Sequence, residues 1–226
     1  MSDVPDSRRR LDARIVRHLE RLGEGPGVDR IAHPEMAEAL GSWIATHREP
    51  DKGLSVIVVC TGNSRRSILG ATMGNVVAAY LGRPEVRFFS GGTEPSAFNP
   101  RTVAALEAIG VVVTPTGDLA PPGPSAEPNP VYRVRWGAVP GDPETEAIEF
   151  SKRYDDASNP RSGFAALLVC DEADAGCPVV PGASIRLAIP FADPKEADGT
   201  PEESARYAGR RDDLGRWMLH ALSRAR

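Results

Sequence analysis

The chain has few cysteines and no long apolar run, and each of these two shortages excludes a class of protein. Three cysteines in 226 residues are too few for a disulfide-framed scaffold, so catalytic or redox use of the thiols ranks above structural bridging. No apolar run reaches the length of a transmembrane span, and the opening residues MSDVPD lack the hydrophobic core of a signal peptide. These observations predict a cytoplasmic protein with reduced thiols.

The net charge is small and negative, −4 at pH 7, which argues against a general nucleic-acid or membrane-surface partner. Any attraction for an anion must therefore be local. The hydrophobic fraction of 41% is enough to bury a substantial core, and the length lies near the upper end for one domain. We expect no metal site, because the cysteines lack a nearby fourth ligand and the histidines lie far from them in sequence: His18, His33, His47 and His220. No cofactor is expected.

Residues 55–67 carry the strongest functional signal of the sequence. Five β-prone or small residues, Ser55–Val59, precede Cys60, and a helical pattern begins at Ile68, which predicts a buried strand, a short loop and a helix. Cys60 would then lie near the helix N-terminus. Backbone N–H groups and the positive end of the helix dipole favour a bound oxyanion and a cysteine thiolate there.

The residue types of the loop agree with an oxyanion site. Arg66 follows Cys60 by six positions, so its guanidinium can return over the loop and bind two anion oxygens. Gly62 and Asn63 tolerate left-handed backbone, and the Ser67 hydroxyl is expected near the sulfur. The predicted oxyanion-binding residues are Thr61, Gly62, Asn63, Ser64, Arg65, Arg66 and Ser67. The alternative, that Cys60 is merely a buried residue at a strand end, ranks lower because strand, loop, arginine and helix coincide.

The segment from Cys60 to Ser67 resembles the signature loop of the low-molecular-weight protein tyrosine phosphatase superfamily, which includes the thioredoxin-coupled arsenate reductases. Thr61 and Ser64 resemble the reductase version more closely.

The rest of the chain predicts further strands separated by helices. Strands are expected at residues 86–89, 164–169 and 184–189, and helices at about 67–81 and 202–222. This alternation implies right-handed crossovers and a parallel sheet. The predicted fold is α/β, with a four-stranded parallel doubly wound sheet and helices on both faces, and the resemblance implies a low-molecular-weight phosphatase-like arrangement.

Two additions to that sheet are expected. Residues 1–50 predict an N-terminal helical extension, and residues 51–226 form the phosphatase or arsenate reductase-like domain, with an insertion at about 114–163. The prolines of the insertion, Pro115 and Pro130 among them, are unsuited to a regular helix or a central strand. Alternating residues at 131–136 and 147–150 nevertheless predict an antiparallel hairpin.

The insertion also carries charged residues after this hairpin: Lys152, Arg153, Asp155 and Asp156. They form either a lid over the site or, as the simpler interpretation, a solvated loop.

The remaining candidate residues follow the third and fourth strands. Asp193 precedes Pro194 and resembles the Asp-Pro of the superfamily's general-acid loop, although Asp-Pro is also common in turns. Cys170 ends the third strand, and Cys177 follows seven positions later. This pair resembles the redox segment of the arsenate reductases; the alternative is two small buried side chains.

The resemblance implies a cysteine-dependent enzyme, and three functions stay open. In an arsenate reductase, Cys60, Arg66 and Asp193 would act on arsenate, and Cys170 and Cys177 would pass the disulfide to a thioredoxin-like reductant. In a phosphatase, Cys60, Arg66 and Asp193 would hydrolyse a phosphate monoester. The third function is an oxyanion-binding redox sensor without turnover. The residues after Pro194 are not aromatic, which counts against phosphotyrosine, whereas Arg65 stands where the reductases often have a cysteine.

Overall fold

The computed structural model describes residues 6–25, 31–49, 52–124, 126–170 and 179–225. The helices in this part of the chain are α1 (Asp6–Arg9), α2 (Ala13–Glu24), α3 (Pro34–His47), α4 (Arg66–Tyr80), α5 (Pro100–Glu107) and α6 (Glu203–Arg224), with a short 3₁₀ helix at Pro194–Ala197. The strands are β1 (Leu54–Cys60), β2 (Val86–Gly92), β3 (Val112–Ala120), β4 (Asn129–Arg135), β5 (Glu146–Glu149), β6 (Phe164–Leu168) and β7 (Ala183–Ala188). None of the helices described has the length and apolar character needed to cross a membrane.

A four-stranded parallel sheet forms the centre of the molecule, in the order β2-β1-β6-β7. Strand β1 therefore has a neighbour on each side. The side chains from Val56 to Val59 are 0% exposed, which explains why this strand has a continuous apolar sequence rather than an alternating one. The predicted α/β fold with a four-stranded parallel sheet is confirmed, and β1 ends at Cys60, on the sheet edge where ligands of such folds bind.

Helices α4, α6 and α3 form one layer over this sheet, in that order from β2 to β7. The approach of α4 is close, since a Cβ atom at Gly74 would lie 2.4 Å from the ring of Phe88 on β2. At the other end, the indole of Trp43 on α3 donates a hydrogen bond to Ser184 Oγ on β7 at 3.0 Å. These contacts fix the direction in which α4 leaves the loop after Cys60.

The opposite face of β2 contacts the insertion. Because Phe88 faces Gly74 of α4, its neighbour Arg87 faces the other side of the sheet. The Arg87 guanidinium donates hydrogen bonds to the carbonyls of Glu144 and Glu146 at 2.8 and 3.1 Å. Over β2, therefore, the insertion occupies the position of the second helical layer that the sequence predicts.

The insertion forms a three-stranded antiparallel sheet in the order β3-β4-β5. The hairpin expected at 131–136 and 147–150 is confirmed, since β4 pairs with β5. Strand β3 was not predicted, because Pro115 breaks its pattern; the residue is tolerated because β3 is an edge strand. Pro130 lies in the middle strand, contrary to expectation. The pairing of β4 with β5 ends at Tyr132, so at Pro130 strand β4 pairs only with β3.

The N-terminal segment is attached to the insertion. Within the helical extension expected at residues 1–50, the first helical stretch is divided into α1 and α2 at Leu11, which forms a β-bridge with Gly137. Asp12 begins α2, with its side chain accepting a hydrogen bond from Arg14 N at 2.8 Å, and its own N–H donates to Trp136 O at 3.1 Å. Backbone pairing with the insertion therefore interrupts the helix. The division into 1–50 and 51–226 stays a prediction.

Candidate functional site

The loop between β1 and α4 turns four of its carbonyl groups toward the segment between β2 and α5. Backbone N–H groups of the segment between β2 and α5 donate to these carbonyls: Thr93 to Cys60 at 3.1 Å, Glu94 to Thr61 at 2.9 Å, Ser96 to Gly62 at 3.0 Å and Asn99 to Ser64 at 3.2 Å. In a trans peptide the next N–H points opposite to the carbonyl, and none of the described peptide bonds is cis. The N–H groups of Thr61, Gly62, Asn63 and Arg65 therefore point away from that segment, as in an anion-binding loop.

Asn63 supports this loop from inside. Its φ of 40° is left-handed, whereas Gly62, which the sequence also suggested for such a position, is not left-handed. The Asn63 amide donates to Ser67 Oγ at 2.9 Å and accepts from Lys152 N at 2.8 Å. Ser67 Oγ in turn lies 3.0 Å from Cys60 Sγ, which is the contact expected from the sequence. The side chains below the loop thus form one hydrogen-bonded group.

Arg66 and Asp193 meet at the rim of the loop. The Arg66 guanidinium donates to Phe191 O at 2.9 Å and to Asp193 Oδ2 at 3.0 Å. The other oxygen of Asp193 accepts a hydrogen bond from Lys195 N at 3.0 Å. Both carboxylate oxygens therefore act as acceptors, and Asp193 holds the guanidinium in place.

A cleft of about 270 Å³ opens above these groups. It is lined by Cys60, Thr61, Gly62, Ser64, Arg65, Arg66, Asp193 and Lys195. The cleft therefore contains three cationic side chains and one carboxylate. Its surroundings are positive although the chain as a whole has a net charge of −4, as the sequence required of an anion site.

Of the two cysteines expected to form a relay with Cys60, one is described. Cys170 is 0% exposed, and its sulfur lies 3.6 Å from Thr61 Oγ1. The parallel pairing of β1 with β6 thus brings Cys170 beside the loop. Cys177 lies outside the described residues, as does the disulfide expected between Cys170 and Cys177.

Tyr207 on α6 and Asp198, which precedes that helix, complete the rim of the cleft. The sequence did not indicate either residue. Arg65 Nε donates to the Tyr207 hydroxyl at 3.0 Å, and that hydroxyl donates to Asp198 Oδ1 at 2.9 Å. Burial and the hydrogen bond to Asp198 raise the pKa of Tyr207 to about 12, so the hydroxyl stays protonated at neutral pH. Arg65 and Tyr207 lie 142 positions apart, and no local pattern could have linked them.

The insertion supports the loop from the other side, which the sequence also did not reveal. Ser151 Oγ donates to Gly62 O at 3.0 Å, and the adjacent Lys152 N donates to the Asn63 side chain. The Lys152 ammonium is buried and pairs with the buried Glu149 carboxylate at 3.2 Å, and Ser90 Oγ donates to the same carboxylate at 2.7 Å. Lys152 is therefore a support of the loop rather than a solvated charge or a lid residue.

Arg153 and Asp155, by contrast, fit the simpler interpretation of the sequence. They form an exposed ion pair at 2.8 Å, away from the cleft lining.

Together, the fold and the site define a mixed α/β protein with a cationic cleft at the edge of a parallel sheet. No family model matches the chain. Among curated proteins, the chain is similar to a pyruvate, phosphate dikinase regulatory protein of Shouchella clausii (strain KSM-K16), with 27% identity over 159 residues. The alignment covers 69% of this chain and 53% of the relative, so the chain spans about half the length of the curated relative that it matches.

This relative contradicts the family expected from the loop, because it is described as a dikinase regulatory protein. The membership in the low-molecular-weight phosphatase superfamily is therefore wrong. The three functions inferred from that membership are wrong as well: arsenate reduction, phosphate monoester hydrolysis by a Cys60 nucleophile, and redox sensing. The expected partners, arsenate and a thioredoxin-like reductant, are also wrong. The physical reason is that a strand, a short loop and a helix N-terminus bind oxyanions in proteins of different functions. An eight-residue motif of this kind indicates an anion, not a reaction.

Proposed function

We propose that this protein binds a phosphate group in the Cys60–Ser67 loop and thereby regulates a phosphate-transferring enzyme of the pyruvate, phosphate dikinase type. The orientation of the loop carries the proposal, because outward carbonyls leave several N–H groups for an anion. The name of the Shouchella clausii relative supports the regulatory part. A cytoplasmic location belongs to the same proposal, since free thiols suit a reducing compartment.

In this proposal the residues around the cleft have different roles in binding the phosphate. The loop N–H groups and the N-terminus of α4 contact the phosphate oxygens. Arg66 supplies a cationic side chain at the rim, and Asp193 positions it through the 3.0 Å ion pair. Cys60 lies in the cleft lining, and Ser67, Asn63 and Lys152 N form the hydrogen-bonded group beneath it. Cys170 contacts Thr61 of the loop from the side of β6.

The insertion has a supporting role in this proposal. Residues 114–163 hold the loop through Ser151 and Lys152, and residues 1–50 meet the insertion through Leu11. The two additions to the sheet therefore stabilise the phosphate loop.

The first experiment measures the affinity of the protein for inorganic phosphate by isothermal titration calorimetry. Arg66→Lys should raise the Kd by about tenfold or more, because a point charge replaces a planar guanidinium; tenfold corresponds to about 1.4 kcal/mol. The matched control is Arg133→Lys, an exposed arginine of β4 that is paired with Glu146 and remote from the cleft lining. Its Kd should equal that of the wild type. Absence of phosphate binding, or equal effects of the two substitutions, would contradict the proposal.

The regulatory part needs a readout on the partner enzyme. The activity of a pyruvate, phosphate dikinase from the organism that encodes this protein should change when the wild-type protein is added. This change in dikinase activity should be weaker with Arg66→Lys than with Arg133→Lys. A dikinase whose activity does not respond to the wild-type protein would exclude this part while leaving phosphate binding intact.

A further inference from the structure

The cleft offers more than a place for one phosphate group. Its volume of about 270 Å³ lies just below the range of roughly 300–1,000 Å³ that holds drug-sized ligands, so the ligand must be compact. In the part of the chain that the structure describes, no aromatic or aliphatic side chain lines the cleft. The described lining therefore offers partners to a polar group attached to the phosphate and no surface for an aromatic ring.

The positive charge of the cleft exceeds what its carboxylate balances. Asp193 is paired with Arg66 at 3.0 Å. Arg65 lies 3.8 Å from Asp198; Arg101 faces the same carboxylate at 3.6 Å but pairs more closely with Glu203. Lys195 is exposed, and its ammonium forms no ion pair with a carboxylate among the described residues. Lys195 thus adds uncompensated positive charge beside Arg65 and the loop.

The position of Arg65 is fixed by its neighbours rather than left to solvent. The buried Tyr207 hydroxyl accepts from Arg65 Nε at 3.0 Å and donates to Asp198 at 2.9 Å. Since the pKa of Tyr207 is raised to about 12 by burial and by Asp198, this arrangement persists at neutral pH. A guanidinium held by one edge in this way presents its remaining N–H groups in a defined direction.

We infer that Arg65 and Lys195 form a second anion subsite, so that the cleft takes a compact phosphate ester with another anionic group close to the phosphate. This inference rests on the proposed phosphate binding in the loop. The second group is a carboxylate or a second phosphate, since a guanidinium and an ammonium side by side bind both. Tyr207 and Asp198 are positioning residues that direct Arg65 toward this group.

The test compares two ligands with the same skeleton, phosphoglycolate and 2-hydroxyethyl phosphate, which differ in a carboxylate and a hydroxyl. The wild-type protein should bind phosphoglycolate about tenfold more tightly, because only the carboxylate meets Arg65 and Lys195. Arg65→Gln and Lys195→Gln should each lower this preference severalfold, whereas Arg133→Gln should keep it. Pyrophosphate, measured in the same series, tells whether a second phosphate is preferred to a carboxylate.

Tyr207→Phe separates positioning from general destabilisation. The ring is retained and the acceptor for Arg65 is lost, so the ratio of the two dissociation constants should fall toward that of Arg65→Gln. The double variant Arg65→Gln, Tyr207→Phe should show no further fall in this ratio. A merely structural role of Tyr207 would weaken the binding of both ligands equally and leave the ratio unchanged, and that result would overturn its assignment.

The remaining outcomes distinguish this inference from the proposed function. If the wild-type protein binds inorganic phosphate but shows the same affinity for the two esters, the second subsite is refuted and the phosphate loop stands. If inorganic phosphate does not bind, the proposed function fails and the subsite fails with it. A preference for phosphoglycolate that survives both Arg65→Gln and Lys195→Gln would assign the carboxylate to other residues.

Discussion

Asn63 is the residue on which the shape of the phosphate loop depends. It combines a left-handed backbone, φ 40°, with a side chain that bonds Ser67 on one side and the backbone of Lys152 on the other. Asparagine tolerates this backbone better than most residues. The same residue thus allows the turn and ties the loop to the insertion.

Replacing Asn63 should therefore destabilise the protein strongly. Asn63→Ala removes two buried hydrogen bonds, leaves Lys152 N–H without its acceptor and places alanine at positive φ, at a total cost of about 3 kcal/mol. The comparison is Asn99→Ala, which removes a helix cap on Arg101 N and should cost about 1 kcal/mol. Urea unfolding measures both. Equal losses in the two variants would mean that Asn63 does not hold the loop.

At the residue scale, the sequence predicted contacts between residues that are close in the chain and missed contacts between residues that are far apart in it. Cys60, Asn63, Arg66 and Ser67 belong to one strand, loop and helix, so their spacing alone indicated an anion site. Tyr207 reaches Arg65 from a helix whose apolar pattern reflects only its packing on the sheet. No spacing rule connects residues that far apart in the chain.

The helices attach to one another through polar contacts as well as through the core. The buried His18 on α2 lies 3.0 Å from Asp212 on α6, and Arg211 contacts the same carboxylate at 2.7 Å. Burial raises the pKa of Asp212, but the His18 hydrogen bond and the Arg211 charge outweigh burial, and the net pKa is lowered. The ionised carboxylate therefore stabilises the folded state.

The sign of this effect predicts a pH dependence. Because the pKa of Asp212 is lower in the folded state, its carboxylate stabilises the fold at pH values above the unfolded-state pKa, about 3.9. This stabilisation is lost as the pH falls through the folded-state pKa. Asp212→Asn should thus cost about 1.5 kcal/mol at pH 7, and its difference from the wild type should shrink below about pH 4. The neighbouring exposed Asp213→Asn, at 44% side-chain exposure, should change stability little at either pH. A constant deficit of Asp212→Asn from pH 7 to pH 3 would refute this role of the carboxylate.

At the scale of elements, the parallel sheet was predictable and the insertion only in part. Continuous apolar runs mark β1 and β6 because both faces of these strands are covered. The β4–β5 hairpin was visible from alternation, whereas Pro115 concealed β3 and Pro130 lay where a strand was thought excluded. Whether a proline is tolerated depends on which side of a strand is paired, and that is a property of the assembled sheet.

At the scale of the whole molecule, the additions to the sheet form one continuous support for the loop. Leu11 and Asp12 pair with the insertion at Gly137 and Trp136. The insertion then reaches the loop through Ser151. The cleft above the loop is locally positive although the chain as a whole is negative. The sequence indicated this local charge, but the loop motif alone misled on function, because anion binding is shared by regulators and enzymes.

The central claim, that loop N–H groups bind phosphate, is tested most directly by amide chemical shifts during a titration with inorganic phosphate. The account predicts the largest shifts, saturating with one binding constant, at the amides of Thr61, Gly62, Asn63 and Arg65. Ser96 and Asn99, whose N–H groups are already bonded to the loop carbonyls, should shift less. Unchanged loop amides at saturating phosphate, or shifts confined to exposed arginines such as Arg133, would contradict the account.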